Sequence, residues 1–267
     1  MHNIIYEGEH DKRKTLYLFT PKYLEGAEGS LHFHRSFEIS YIVDGDMIVT
    51  VNDRSFRATT DDVVFVQKFY THKYCANRDS DKFVFIVPPA SEGDFEKSLA
   101  YNTLPAHLSD KQFNKTLLPI IESMYSEFST MPKLVKQGYL NVVMGKLISH
   151  YPLEPITPNS NIDLLVKILN YIDDNYTKNL SLDNVSAAFG YNKYYFSKLF
   201  NRYIGDNINN YINTTRLQKL MEYARKSNDV NITELAFDFG FDSLSTFYRC
   251  FNKIYGASPK EILGKKK

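Results

Sequence analysis

Residues 240–256 read GFDSLSTFYRCFNKIYG, and fifty residues earlier residues 190–205 read GYNKYYFSKLFNRYIG. Aligning Gly190 with Gly240 pairs Val185 with Leu235, Ser186 with Ala236, Phe189 with Phe239 and Tyr191 with Phe241. One residue is inserted in the second copy after the turn; beyond it Phe196 pairs with Phe247, Lys198 with Arg249, Phe200 with Phe251 and Gly205 with Gly256. The pattern is a helix, a glycine turn and a second helix, written twice.

Each part has a physical reason. Ser186 and Ala236 are small enough for two helices to cross closely, and the glycine ends the first helix in a conformation other residues resist. Asn192, and Asp242 or Ser243, are good N-caps for the second helix. Phe196 with Phe200, and Phe247 with Phe251, share a face and pin that helix to its module. The face left over carries Tyr194, Ser197 and Lys198 in one copy and Ser245, Tyr248 and Arg249 in the other. A single cation on a helix is ordinarily a solvated charge; its repetition at the same place argues for use. Between the copies, 207–226 contains neither Pro nor Gly. One helix about 30 Å long is predicted there, close to the roughly 34 Å between successive major grooves on one face of DNA. Ile208, Tyr211 and Ile212 lie on one side of it, and Leu217, Leu220, Met221 and Ala224 about half a turn away. Such a helix would be a strut with one end on each module.

On these residues the segment from about Ile162 to Ile262 resembles the AraC/XylS family of bacterial transcription regulators. LAFDFGFDSLSTFYRCFNKIYGASPKEI carries the signature, VSAAFGYNKYYFSKLFNRYIG is its partner, and Gly256 to Pro259 give the family's Gly-x-Ser-Pro ending. The resemblance implies a two-module reader of double-stranded operator DNA in which each second helix enters a major groove. Carried over by position, Tyr194, Ser197, Lys198, Leu244, Ser245, Tyr248 and Arg249 would face bases, while Lys193, Arg202 and Lys253 would hold phosphates. Leu244 stands where some relatives are polar, and could offer only an apolar contact such as one to a thymine methyl. The resemblance further implies a cytoplasmic homodimer that works with RNA polymerase as an effector-responsive activator of genes for carbohydrate or other carbon-source metabolism. The Lys265-Lys266-Lys267 tail reads as a charge run able to touch phosphates nonspecifically.

Up to about Pro88 the period is that of strands: HFHRSFEISYIV, MIVTV and DDVVFV alternate, with turn signals at Asp44-Gly45 and Asn52-Asp53. From Ser109 it becomes helical, with Phe113, Leu117, Ile120, Ile121, Met124 and Phe128 on one stripe, then Leu134, Val135, Val142, Val143 and Leu147 after Pro132. These helices could cover the β unit or, as in the family, join two copies. His32, His34 and Glu38 share strand parity, and Gly26 to Gly45 resembles the first cupin motif, with His72 where the second motif's histidine stands. Asp61 and Lys68-Phe69 depart from that second motif. Three readings are open: a metal-dependent cupin enzyme domain, for which two or more His and a carboxylate are a suitable donor set; a metal-free effector pocket for a small molecule such as a sugar, formed by His32, His34, Glu38 and His72; or a solvent-exposed polar face with Phe33, Phe37, Ile39, Tyr41 and Val43 as core. The second is the reading adopted, with no cofactor and no catalytic residue.

The 267 residues suffice for two domains: 1–151 for effector binding and dimerisation, a Pro-rich linker at 152–161, and 162–267 for DNA, with modules at about 181–204 and 231–255. The fold class is therefore α+β multidomain, a cupin-like jelly roll with two helices followed by an all-α unit. Net charge is +1, but the part from Asn159 carries 15 Lys and Arg against 11 Asp and Glu, and the preceding part 17 against 20. That split favours an anionic partner for the C-terminal part. No apolar run reaches the roughly 20 residues a membrane span needs, MHNIIYEGEHDKRK lacks a signal peptide's apolar core, and two distant cysteines, Cys75 and Cys250, give no disulfide framework.

Overall fold

The computed structural model describes residues 5–7, 15–92, 95–156, 160–226 and 231–263. The lysine tail and most of the N-terminal stretch named above lie outside them. The chain forms two compact units, 1–158 and 159–267. Where the linker was expected to begin, Glu154–Pro155 pairs with Asn102–Thr103, which ties its first half to the N-terminal unit.

The N-terminal unit is built from β1 (Ile5–Tyr6), β2 (Tyr17–Phe19), β3 (Lys22–Tyr23), β4 (His32–Phe33), β5 (Phe37–Asp44), β6 (Asp46–Val51), β7 (Arg54–Thr59), β8 (Val63–Val66), β9 (His72–Ala76), β10 (Ser80–Val87), β11 (Asn102–Thr103), β12 (His107–Leu108) and β13 (Glu154–Pro155). One sheet runs β1-β4-β9-β6-β7 and the other β12-β8-β5-β10-β2. Ile42, Val64 and Val66 of the second sheet meet Met47, Val49, Val51, Ala58, Tyr74 and Ala76 of the first in one core. Asn52-Asp53 closes a two-residue hairpin, with Val51 opposite Arg54 and Asn52 at φ 51°. Asp44-Gly45 does not close one: β5 pairs with β8 and β10, and β6 with β7 and β9, so here the chain changes sheets. Gly45 is needed at that corner because a Cβ would lie 2.6 Å from Ser80 Oγ.

The second sheet is covered on its other face too. Phe37, Ile39, Tyr41, Phe65 and Phe85 pack with Leu117, Ile121, Met124, Leu140, Val143, Met144 and Leu147. Those residues come from the region of helices α1 (Phe95–Leu99), α2 (Lys111–Asn114), α3 (Leu118–Glu127) and α4 (Lys133–His150). The stripe expected on one helix from Ser109 is thus divided; Asp110 caps the first short piece and Pro119 opens the second. On α4 the expected stripe also splits, with Val143 and Leu147 buried but Leu134, Val135 and Val142 exposed.

The C-terminal unit is all helix: α5 (Ser160–Asn175), α6 (Leu182–Ala188), α7 (Lys193–Ile204), α8 (Ile208–Lys226), α9 (Ile232–Asp238), α10 (Leu244–Tyr255) and α11 (Pro259–Leu263). The strut α8 has 19 residues, about 28 Å at 1.5 Å each. Tyr211 sets its ring edge against Phe200 of the first module, and Leu217, Leu220 and Met221 join Phe247 and Phe251 of the second. The predicted change of side along this helix is observed.

Candidate nucleic-acid interface and sensing site

In each module the second helix is placed by the residues that the repeat singled out. Asn192 accepts from the Tyr194 N–H and Ser243 from the Thr246 N–H, so the second cap is Ser243 rather than Asp242. Gly205 and Gly256 end α7 and α10 in the left-handed conformation, at φ 73° and 66°. Phe196, Phe200, Phe247 and Phe251 are fully buried, and Ser186 and Ala236 are buried at the helix crossings. Ser181 and Asn231 cap the first helix of each pair, a duty visible beforehand in their place ahead of the apolar run. In the Gly-x-Ser-Pro ending, Ser258 and Glu261 cap each other's backbone N–H groups.

Opposite the phenylalanines, Tyr194 and Lys198 are exposed on α7 with Ser197 half-buried, and Ser245, Tyr248 and Arg249 are exposed on α10. Leu244, the first residue of α10, is half-buried and packs against the second module's core. Lys193, Arg202 and Lys253 are exposed. Lys193 forms an ion pair with Asp183 at 3.2 Å, and such exposed pairs hold a side chain weakly enough for a phosphate to take it over.

In the N-terminal unit the structure brings together His32, His34, Glu38 and His72, with one ligand atom of each within 4.8 Å of all the others. His34, Glu38 and His72 are buried, which removes the reading of a solvent-exposed polar face: helices cover the far side of β5, so both its faces are interior. Three backbone carbonyls orient the rings. His32 Nδ1 meets Ser30 O at 2.8 Å, His34 Nδ1 meets Ser36 O at 2.9 Å and His72 Nδ1 meets Tyr70 O at 3.0 Å. A carbonyl only accepts, so each Nδ1 bears a proton and each Nε2 is the ring atom left to face the cluster. Two of these nitrogens, of His34 and His72, stand 3.5 and 3.3 Å from Glu38 Oε2. The other carboxylate oxygen accepts from Tyr74 Oη at 2.7 Å and Ser40 Oγ at 3.1 Å.

Burial works to raise the Glu38 carboxyl, but neighbouring His72, hydrogen bonds from His34 and His72, and Lys82 together hold it well below the usual carboxylate range. Burial, helped by His72, pushes the His32 imidazole down to about 4, so it is neutral at pH 7. A carboxylate with converging imidazole Nε2 atoms is a donor set that would fit a divalent transition ion in place of the protons, and the carbonyl-held Nδ1 atoms are the outer support such sites use. Lys82, buried on β10, lies over the Tyr74 ring at 3.0 Å and the Tyr23 ring at 5.1 Å. The residues around the cluster that motif spacing missed, Ser40 and Tyr74, were reachable by parity, since each stands two places from a cluster residue on its own strand.

A cavity of about 310 Å³ is lined by Val51, Phe56, Gln67, Tyr70, Leu104 and His107; of these, Val51 is the strand partner of His72, and the Tyr70 carbonyl holds the His72 ring. The Phe56 and His107 rings stack 4.6 Å apart. Gln67 is buried, and its amide oxygen has no hydrogen-bond partner among the described residues.

Two helix-turn-helix pairs on one strut define a DNA-reading protein, and the comparisons agree. Residues 185–265 match the family model described as a helix-turn-helix domain, and residues 22–88 the one described as a cupin domain. The chain is 30% identical over 101 residues to the multiple antibiotic resistance protein MarA of Escherichia coli, covering 38% of this chain and 79% of the relative. An uncharacterized HTH-type transcriptional regulator of Staphylococcus aureus is 27% identical over 169 residues, 59% of this chain and 22% of the relative. The solved structure of ToxT from Vibrio cholerae aligns with a TM-score of 0.45 at 12% identity, over 94% of this chain and 98% of that one. The chain belongs to the AraC/XylS family: it is a DNA-binding transcription regulator with a cupin domain. Among the described residues no helix is long and apolar enough to cross a membrane.

Proposed function

We propose that the chain is an effector-responsive regulator that reads two successive major grooves of an operator with Tyr194, Ser197 and Lys198 from α7 and Ser245, Tyr248 and Arg249 from α10. The observation that carries this is the repeated exposed face, with a cation at the same place in each copy, opposite buried phenylalanines. Lys193, Arg202 and Lys253 hold phosphates. It acts in the cytoplasm as a homodimer, and the apolar residues that α4 leaves exposed support that pairing. Selection of bound DNA from a random pool yields the operator. At fixed salt, Lys198→Ala and Arg249→Ala each weaken that operator by about 1–3 kcal/mol; unchanged affinity in both variants sinks the assignment.

The effector is a small molecule held at the His32, His34, Glu38 and His72 cluster and the cavity beside it, where Gln67 offers an unused acceptor. It must favour one arrangement of the protein over another, or it shifts nothing. Metabolites, sugars and other carbon sources first, are screened for a change in operator affinity, and transcription by RNA polymerase from a promoter bearing the site distinguishes activator from repressor. An operator affinity indifferent to every metabolite makes the chain an architectural DNA binder instead.

The carbonyl-held Nδ1 atoms favour a second reading, in which the same four residues hold a divalent metal ion. The ion would supply a fixed positive charge, and in a cupin enzyme a Lewis acid. Elemental analysis of protein purified without chelators decides: about one transition-metal ion per chain, lost in His34→Ala, establishes it, and no metal removes it.

A further inference from the structure

The two turn glycines are alike in sequence and unlike in surroundings. Gly190 and Gly240 both have positive φ, 71° and 89°. A Cβ on Gly190 would meet nothing within 4 Å. On Gly240 it would lie 2.6 Å from Tyr176 O, 2.9 Å from Thr177 Cα and 3.0 Å from Arg216 Nε. The second module's turn therefore sits directly on the loop between α5 and α6, beside the first module. Phe239 adds ring contacts there, 6.0 Å from Tyr176 and 5.9 Å from Tyr223 of the strut.

Arg216, buried inside the strut at 2% exposure, holds this junction. Its Nε donates to Tyr176 O at 2.8 Å, its Nη2 to Lys178 O at 2.8 Å, and its Nη1 to Asn213 Oδ1 at 3.2 Å. The planar fork holds two carbonyls of one loop at once in a fixed geometry, which a lysine's shorter reach and rotatable ammonium do not reproduce. An unpaired buried carbonyl is costly, so the loop is bound to the strut and the Gly240 turn closes over both.

We infer that Arg216 is a positioning residue for DNA reading: with the 176–178 loop and Gly240 it fixes the distance and angle between α7 and α10, and so sets the spacing of operator that the chain accepts. It touches no DNA. The inference rests on the proposal that both helices read successive grooves. A wild-type chain bound equally by every sequence refutes that proposal, whereas the following measurement addresses Arg216 alone.

The operator recovered by selection is compared with versions carrying one base pair more or fewer between its two boxes. Wild type loses about tenfold or more on either change, since the second helix is carried off its bases. Arg216→Met, which keeps an apolar stem and lacks the fork, loses affinity for the original operator, and its penalty for altered spacing falls to about threefold or less, because the two readers now adjust separately. Arg216→Lys, keeping the charge and losing the fork, falls between. Gly190→Ala strains the first turn without touching the junction, and keeps the wild-type ratio between operators. Circular dichroism confirms the fold of each variant; if Arg216→Met does not fold, Arg216→Lys is judged by the same ratio. A folded variant whose penalty for altered spacing equals the wild type's overturns the inference.

Discussion

At the scale of the residue, the N-terminal unit buries a charge that most cores would exclude. Lys82 is enclosed with Tyr23, Tyr74 and Glu38 nearby, and burial pushes its ammonium from the ordinary 10.5 down to about 7, opposed by the Glu38 charge. The folded pKa is therefore the lower one. Between about pH 7 and 10.5 the unfolded chain binds a proton that the folded chain does not, so stability from this group rises with pH across that window. Urea melts at pH 7 and pH 9.5 should show a gain for wild type that shrinks in Lys82→Met; an equal gain in both would place the buried proton elsewhere. Neither Lys82 nor the orphan acceptor of Gln67 was legible in the sequence, because a lysine between Asp81 and Phe83 reads as an outward strand position. What encloses it comes from β3 and β9, strands distant along the chain. His32, His34, Glu38 and His72 were legible because their spacing is itself the signal.

At the scale of the element, information that is local survived the passage from sequence to structure. Caps, turn glycines and phenylalanines four apart act within one helix pair, and both pairs form where the repeat places them. Pairing between strands is not local, so Asp44-Gly45, which has the composition of a hairpin turn, instead carries the chain from one sheet to the other. The helix α4 is intermediate: it is apolar on two sides, and periodicity alone does not say which side the sheet takes. The side left over carries Leu134 at 83% exposure, with Val135 and Val142. Ile120, Gly138 and Tyr139 join the last two in a shallow apolar depression. If it joins two copies, Leu134→Glu with Val142→Lys should convert dimer to monomer in sedimentation equilibrium while the melting midpoint stays nearly constant, as exposed substitutions change stability by only about 0.5 kcal/mol. A double variant that still sediments as a dimer puts the interface on another surface.

At the scale of the whole molecule, the charge split becomes a quantity that can be read from salt dependence. The cations assigned to phosphates, Arg202 and Lys253, are exposed and stand in the last turns of α7 and α10. Replacing either with Ala should weaken all DNA sequences about equally and reduce the slope of log affinity against log salt by about one; a loss confined to the selected operator would move that residue to the base-reading group. The unit is less modular than its repeat suggests. A chain cut after the strut would leave Leu217, Leu220 and Met221 facing water and strip the cover from the Tyr176 carbonyl. The second pair taken alone would lack the surface on which Gly240 rests. Duplicated in sequence, the two halves have become interdependent in space, so a hybrid that borrows its second reader from a relative must borrow the strut and the 176–178 loop as well.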